Sequence, residues 1–383
     1  MLKHSFFVFL SCILALGGVS PARAQQVATS TPAPQAATYI PIPDEFASAI
    51  VMRAATGKVL YEFKPDKPHT AASLTKLAQA VTMLEQKPNW NTIVTMQKTD
   101  EVGGGRLHVD VGAKVTLGAL WQAALGSSAN NAATAMSRVA GPGVSTFVKK
   151  MNAKSKAIGA TSSVFYDPSG MDARNQTTAR DMAIIAKQAF SQSLISRASQ
   201  TSSYRFSLAN GTQARTILNT NAPFLEDPDV WLTGGKTGYL PESMYNYAGV
   251  LRPMYANGAF DAKREIVVVV LGSPSKSASF ESVKRMAAWA WDQPQFFVDP
   301  PQPPITQTLV YGSVGTDVRR LQEILARDSE VYPEGLVTGR FLPLTLAAVK
   351  RFQVKHGVAK PGVLGYGVVG PATRAKIAEL HPY

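Results

Sequence analysis

Thiol chemistry is the first thing this sequence lacks. Its one cysteine, Cys12, sits in an N-terminal apolar segment. A chain trimmed of that segment has no disulfide framework, zinc ribbon or thiol nucleophile. Histidine is scarce too. His4, His69, His108, His356 and His381 are scattered, with no pair at the helix-face or strand-face spacing of metal ligands. We therefore expect no metal and no cofactor. Acidic residues are also short, with 26 Asp and Glu against 39 Lys and Arg, a net +13. Such an excess points to an anionic partner. Aromatic–basic clusters of the kind that bind nucleic acid are missing, so nucleic acid is not that partner. No G-x-S-x-G elbow is present, which excludes an ordinary Ser-His-Asp hydrolase.

What the chain does have begins with an export pattern. Met1 to His4 is a short basic start, Ser5 to Gly18 an apolar run, and Ala22-Arg23-Ala24 a small-residue cleavage site. That is the layout of a signal peptide, residues 1–24, and the run falls short of the about 20 apolar residues of a membrane span. Residues 25–38 are a polar, Ala/Thr/Pro-rich leader. The expected product is secreted to the periplasm or cell wall, with no stable membrane anchor after cleavage.

With 383 residues the chain has room for two or three domains. The first spans 39–293. Ala47 to Met52 and Val59 to Phe63 read as strands around a turn at Thr56-Gly57. Leu74 to Leu84, Leu117 to Val139 with a break at Gly126, Val144 to Ile158 and Ala179 to Phe190 read as helices. Tyr204 to Leu218 reads as a hairpin at Asn210-Gly211. Ile266 to Leu271 is a buried strand, and Phe280 to Trp291 a closing helix. Strands at both ends with helices between them predict an α+β fold, a sheet built from both termini against a helical subdomain. Residues 294–308, with Asp299-Pro300-Pro301-Gln302-Pro303-Pro304, are a proline-rich spacer. Residues 309–383 form a small helical module with a weak internal echo, Asp317 to Gln322 and Ala348 to Gln353, whose apolar positions read as core.

Three short motifs carry the chemistry: Ser73-Leu74-Thr75-Lys76, Ser128-Ala129-Asn130 and Lys236-Thr237-Gly238. Ser73 and Lys76, at i and i+3, share one helix face, and Thr70 is the expected N-cap. A serine hydroxyl needs a base within reach. Lys76 serves only when neutral, which burial and a second cation, Lys236, would favour. Ser128 can relay a proton to a leaving amine, and Asn130 can donate to a substrate carbonyl or hold Lys76. Lys236 and Gly238 share a strand face, and Gly238 leaves room for a peptide to add as an extra strand. Thr237 and the charge of Lys236 suit a terminal carboxylate. The backbone N–H groups of Ser73 and Tyr239 suit an oxyanion hole.

Together the motifs resemble the D-alanyl-D-alanine carboxypeptidase family of low-molecular-mass penicillin-binding proteins. The resemblance runs from about Ala47 to Trp291 and includes Asp167-Pro168-Ser169-Gly170-Met171-Asp172, read as a structural turn, and Thr178 to Ala183. It implies a β-lactamase-like fold. It makes Ser73 the acylated nucleophile, Lys76 the base, Ser128 and Asn130 the second element, and Lys236, Thr237, Gly238 and Tyr239 the substrate strand. Peptidoglycan stem peptides are the implied substrate and β-lactam antibiotics the implied covalent inhibitors.

Tyr239 departs from the His that often follows this third motif. The context of Ser127 to Ala133 also resembles the D,D-endopeptidases, which cut crosslinks. The C-terminal module resembles the peptidoglycan-binding domain through Gly312, Val318, Leu321-Gln322, Gly339, Phe352-Gln353 and Gly370-Pro371. The leading expectation is a wall-tethered D-Ala–D-Ala carboxypeptidase, with an endopeptidase or a catalytically dead wall-binding protein as alternatives. A class A β-lactamase fits poorly: the nearest Glu-x-x-x-Asn, Glu85 to Asn89, lies upstream of the second motif.

Overall fold

The computed structural model describes residues 46–298 and 304–381; the expected signal peptide, the leader and the centre of the proline spacer lie outside the described residues. Chain order opens with β1 (Ser48–Arg53), β2 (Val59–Phe63), β3 (His69–Thr70) and α1 (Thr75–Glu85). Then come β4 (Ile93–Thr95), β5 (Lys114–Thr116), α2 (Leu117–Gly126), α3 (Asn130–Ala140), α4 (Val144–Ala157), β6 (Gln176–Thr177), α5 (Ala179–Phe190) and α6 (Ser193–Gln200). β7 (Ser203–Phe206), β8 (Arg215–Leu218), α7 (Ala222–Leu225), β9 (Val230–Leu240), β10 (Met244–Pro253), β11 (Ile266–Ser273) and α8 (Lys276–Trp291) complete the first domain.

The main sheet is antiparallel, in the order β2-β1-β11-β10-β9. First and last strands are thus neighbours, as the sequence predicts. Both faces of its centre are covered, so β1 and β11 are buried almost throughout and read as apolar runs. Side chains alternate between two cores. Ile50, Val267, Val269 and Leu271 face the helical subdomain, while Val51, Val268 and Val270 face Phe280, Val283 and Met286 of α8. α8 starts cleanly because the Ser275 hydroxyl accepts from Ala278 N at 3.0 Å.

Helix α1 passes through the middle of the helical subdomain. Residues Thr75 to Met83 are buried without interruption, so even its polar positions are desolvated. The break between α2 and α3 lies where Gly126 marks it. Ser127 Oγ folds back onto Ala123 O at 2.9 Å, and Ser128 takes a left-handed conformation, φ +61°. One expectation is corrected. Thr70 does not cap α1: it pairs in β3 with β6, and its hydroxyl donates to Ala173 O at 3.1 Å. A turn of 3-10 helix, Ala72–Leu74, leads into α1 instead, with Leu74 as a cap without a side-chain bond. A distant strand partner outcompetes the local capping preference of threonine.

The C-terminal module has its own core, including Ile305, Leu309, Val318, Leu321, Phe352 and Ile377. It contains α9 (Thr316–Leu325), α10 (Pro343–Lys355) and α11 (Pro371–Leu380). The sequence echo has a structural meaning. Gln322 and Gln353 are both buried, and each donates to a threonine in the first turn of the next helix: Gln322 to Thr345 Oγ1 at 2.8 Å, Gln353 to Thr373 Oγ1 at 2.9 Å. Each amide oxygen accepts from loop N–H groups, Thr338 and Gly339 for Gln322 and Gly367 for Gln353. Two helix–loop–helix units thus use one polar device, with each glutamine satisfying backbone groups that burial would otherwise penalise.

Candidate active site

Ser73 lies at the end of a strained entry. Ala72, just before it, has φ +47°, a conformation a non-glycine residue holds only when its surroundings enforce it. Lys76, one turn on, is fully buried. Its Nζ lies 2.9 Å from Ser73 Oγ, 2.6 Å from Asn130 Oδ1 and 2.6 Å from the Ser169 carbonyl. Three oxygen partners match the three donors of an ammonium; a neutral amine in the same place would donate to Asn130 and Ser169 and turn its lone pair to the serine hydroxyl.

Lys236, on β9, is buried to the same degree. Its Nζ donates to Ser128 Oγ and to Thr237 O, both at 2.8 Å, which ties the third motif to the second. Burial pushes Lys76 down to about 7, against a smaller upward pull from Asp167. Burial likewise pushes Lys236 well below the ordinary lysine range, and repulsion from Lys76 adds to it. Desolvation is the larger cause for both lysines; like charge is the second cause for Lys236 only.

All eight residues singled out from the sequence therefore converge on one region. Thr237 Oγ1 donates to Thr220 Oγ1 at 3.1 Å. Gly238 abuts the nucleophile turn: a Cβ there would lie 3.2 Å from Ala71 O and 3.3 Å from Ser73 N. The Leu240 N–H turns inward to Ser243 Oγ at 3.0 Å, so in an extended strand the N–H of Tyr239 points to the free edge. The Tyr239 side chain is half exposed and packs on Tyr245, ring centroids 4.4 Å apart. An open cleft of about 450 Å³ joins Ser73, Ser128, Asn130, Thr237 and Tyr245.

Asn130 is already engaged on both sides. Its Oδ1 holds Lys76, and its Nδ2 donates to Gly103 O at 2.9 Å. Other participants carried no motif signal. Thr220 is one. The Asp167–Asp172 turn, which the sequence offered as a structural turn within the family resemblance, does more than reverse the chain. The Asp167 carboxylate accepts from the N–H groups of Ser169 and Gly170, each at 3.0 Å, and from Asn175 Nδ2 at 2.7 Å. That aims the Ser169 carbonyl at Lys76. Among the described residues, no cluster of His, Cys, Asp and Glu could hold a metal ion. The set as arranged can deprotonate a serine, hold a carboxylate beside it and present an edge strand to a peptide.

Comparison with known proteins finds matches over both parts of the chain. Residues 38–274 match the D-alanyl-D-alanine carboxypeptidase family model, and residues 314–377 match the peptidoglycan binding domain. The D-alanyl-D-alanine endopeptidase of Pseudomonas aeruginosa is 29% identical over 266 residues, covering 68% of this chain and 82% of that protein. A D-alanyl-D-alanine carboxypeptidase of Bacillus subtilis is 27% identical over 256 residues, covering 65% of this chain and 63% of its own. Among solved structures, a variant of a Streptomyces DD-transpeptidase superposes with a TM-score of 0.58 at 25% identity, over 65% of this chain and 98% of that one.

Proposed function

The chain belongs to the D-alanyl-D-alanine carboxypeptidase family of serine D,D-peptidases, and on that premise we propose that it removes the terminal D-alanine from peptidoglycan stem peptides. The observation that carries this reading is the bond between fully buried Lys76 and Ser73 Oγ, 2.9 Å, beside a second buried lysine. Neutral Lys76 takes the Ser73 proton as Oγ attacks the carbonyl of the penultimate residue. The oxyanion is accepted by the N–H groups of Ser73 and Tyr239. Ser128, linked to Lys236, relays the proton held on Lys76 to the leaving amine, which leaves Lys76 neutral and Ser128 unchanged as the C–N bond breaks and D-alanine departs. Water then attacks the acyl-serine while neutral Lys76 accepts its proton, and Lys76 returns that proton to Ser73 Oγ as the ester bond breaks. Lys236, Thr237 and Thr220 hold the substrate carboxylate. A β-lactam would enter by the same attack on its ring amide and stay bound as an acyl-serine.

The C-terminal module, acting outside the cytoplasm after export through residues 1–24, holds the enzyme on its insoluble substrate and raises the local peptide concentration. The intact Ser73–Lys76–Asn130 set speaks against a dead wall-binding protein. A second reading has support of its own: the Pseudomonas aeruginosa relative is named an endopeptidase and is matched over 82% of its length. Purified enzyme is to be offered a stem pentapeptide ending in D-Ala–D-Ala and a purified crosslinked dimer. Faster release of D-alanine than of monomer supports the carboxypeptidase, and the reverse order establishes the endopeptidase.

A further inference from the structure

The two proposed oxyanion donors come from different parts of the fold, and something must fix the gap between them. Ser73 belongs to the turn before α1, held on the helical side by Ala71 N donating to Asn175 O at 2.8 Å. Tyr239 belongs to β9, the sheet's outer strand. Between these two layers lies Asn246. It sits on β10 directly across from Gly238 and is buried, with 1% of its surface exposed. Its Nδ2 donates to Thr70 O at 3.0 Å and, more weakly, to Ala71 O at 3.4 Å, while its Oδ1 accepts from Gly272 N at 2.9 Å.

The geometry that makes this contact is a bulge. The β10–β11 register shifts between Tyr245 and Tyr247, which pair with Ser273 and Val270. The extra β11 residue leaves the Gly272 N–H without a ladder partner, and the Asn246 oxygen takes it. That fixes which way the amide points, and its N–H₂ is aimed at the two carbonyls just before Ala72. Bulges of this kind re-aim a side chain next to a functional site. We infer that Asn246 is a positioning residue. It clamps the nucleophile turn to the sheet through the Thr70 and Ala71 carbonyls, so that the Ser73 and Tyr239 N–H groups converge on one oxyanion. This rests on the peptidase reading above and assigns its geometry to a residue outside the three motifs.

Asparagine is the residue this place demands. Alanine would take the partner from the buried Gly272 N–H and the Asn246 donor from the Thr70 carbonyl, while Ala71 O keeps the Leu74 N–H at 3.2 Å. Aspartate keeps the size and the Gly272 acceptor but has no donor for Thr70 and Ala71. The strain at Ala72 means a turn released from the clamp relaxes away from Gly238. A displacement of about 1 Å in a preorganised site costs on the order of a hundredfold in rate.

The test uses the full-length enzyme with Asn246→Ala and Asn246→Asp. It measures kcat and KM on the pentapeptide, the inhibition constant of a peptide boronic acid whose tetrahedral adduct places an oxygen in the oxyanion hole, and the melting temperature. Both variants should lose kcat and boronate affinity in parallel, by roughly tenfold to a hundredfold. KM should move less than about threefold, since ground-state binding does not use the hole. Asn246→Asp, though isosteric, should lose as much as Asn246→Ala. Unchanged boronate affinity in either folded variant, or a raised KM with kcat intact, overturns the clamp. A wild-type enzyme that binds neither boronate nor pentapeptide overturns the peptidase reading itself, which keeps the two failures apart.

Discussion

A Cβ placed on Gly170 would lie 1.9 Å from the carbonyl oxygen of Ala72, the residue before the nucleophile. The Asp167–Asp172 turn is therefore pressed against the backbone that presents Ser73, and Gly170 itself has φ +88°. Gly170→Ala meets a backbone clash and a conformation disfavoured for any side chain. It should cost at least about 3 kcal/mol and lower the melting temperature by roughly 6–12 °C. Labelling by a fluorescent penicillin should disappear in parallel. Calorimetry and a gel of the labelled protein check both.

The pH dependence of acylation follows from Lys76. Its value is pushed down to about 7 by burial, and only the neutral amine accepts the serine proton. The second-order rate of penicillin acylation should therefore rise with pH through about 7 and level off above it. Lys76→Arg keeps a cation that cannot deprotonate, and should fall by three or more orders of magnitude. A stopped-flow pH profile of the wild type without this limb would rule Lys76 out as the base.

Stability should respond to the same residue. Folded Lys76 binds a proton less readily than the unfolded chain. From about 7 up to the ordinary lysine value the unfolded state thus holds more protons, and folding stability rises with pH. Lys236, shifted in the same direction, adds to the slope. Denaturant midpoints measured across this window should increase in the wild type and flatten in Lys76→Met. An equal slope in both would assign the effect to other groups.

Acyl transfer should be confined to one serine. Mass spectrometry after penicillin treatment should find the adduct on the Ser73 peptide, and Ser73→Ala should carry none while keeping its fold. Ser128→Ala removes the 2.8 Å contact with Lys236 and the proton relay. It should slow acylation by about 10²- to 10⁴-fold, the usual range for a positioned proton carrier. An adduct on Ser127 or Ser128 would reassign the nucleophile.

In the C-terminal module, Gln322 donates to Thr338, Arg340 and Thr345 and accepts from Thr338 and Gly339. Gln322→Leu takes a partner from buried Thr345 Oγ1 and from the part-buried Thr338 and Gly339 N–H groups, and should cost about 1–3 kcal/mol. In the full-length protein this should weaken sedimentation with peptidoglycan sacculi and reduce their digestion. Turnover of the soluble pentapeptide should stay at the wild-type level. Full sacculus binding by a protein whose module has melted would separate wall attachment from this fold.

Much of the protein was legible as a string because the signals are local. Ser73 and Lys76 meet through helical spacing, Gly126 marks a helix break, and the apolar runs of β1 and β11 announce covered strands. The features that escaped notice depend on partners far along the chain. β10 mixes Tyr, Asn, Ala and Gly and shows no alternation, because its inward positions pack against α5 and α8 rather than repeating one residue type. Thr70 reads as a helix cap until β6 arrives beside it. Ser169, Thr220 and Asn246 look like ordinary loop and strand polar residues. Only the folded chain brings the Ser169 carbonyl to Lys76, Thr220 to Thr237, and Asn246 to the turn before Ser73. The sequence by itself determined which groups are proposed to do the chemistry. Tertiary structure decided their burial and aim, because desolvation of Lys76 comes from the helices packed all around α1, and no residue can remove its own water.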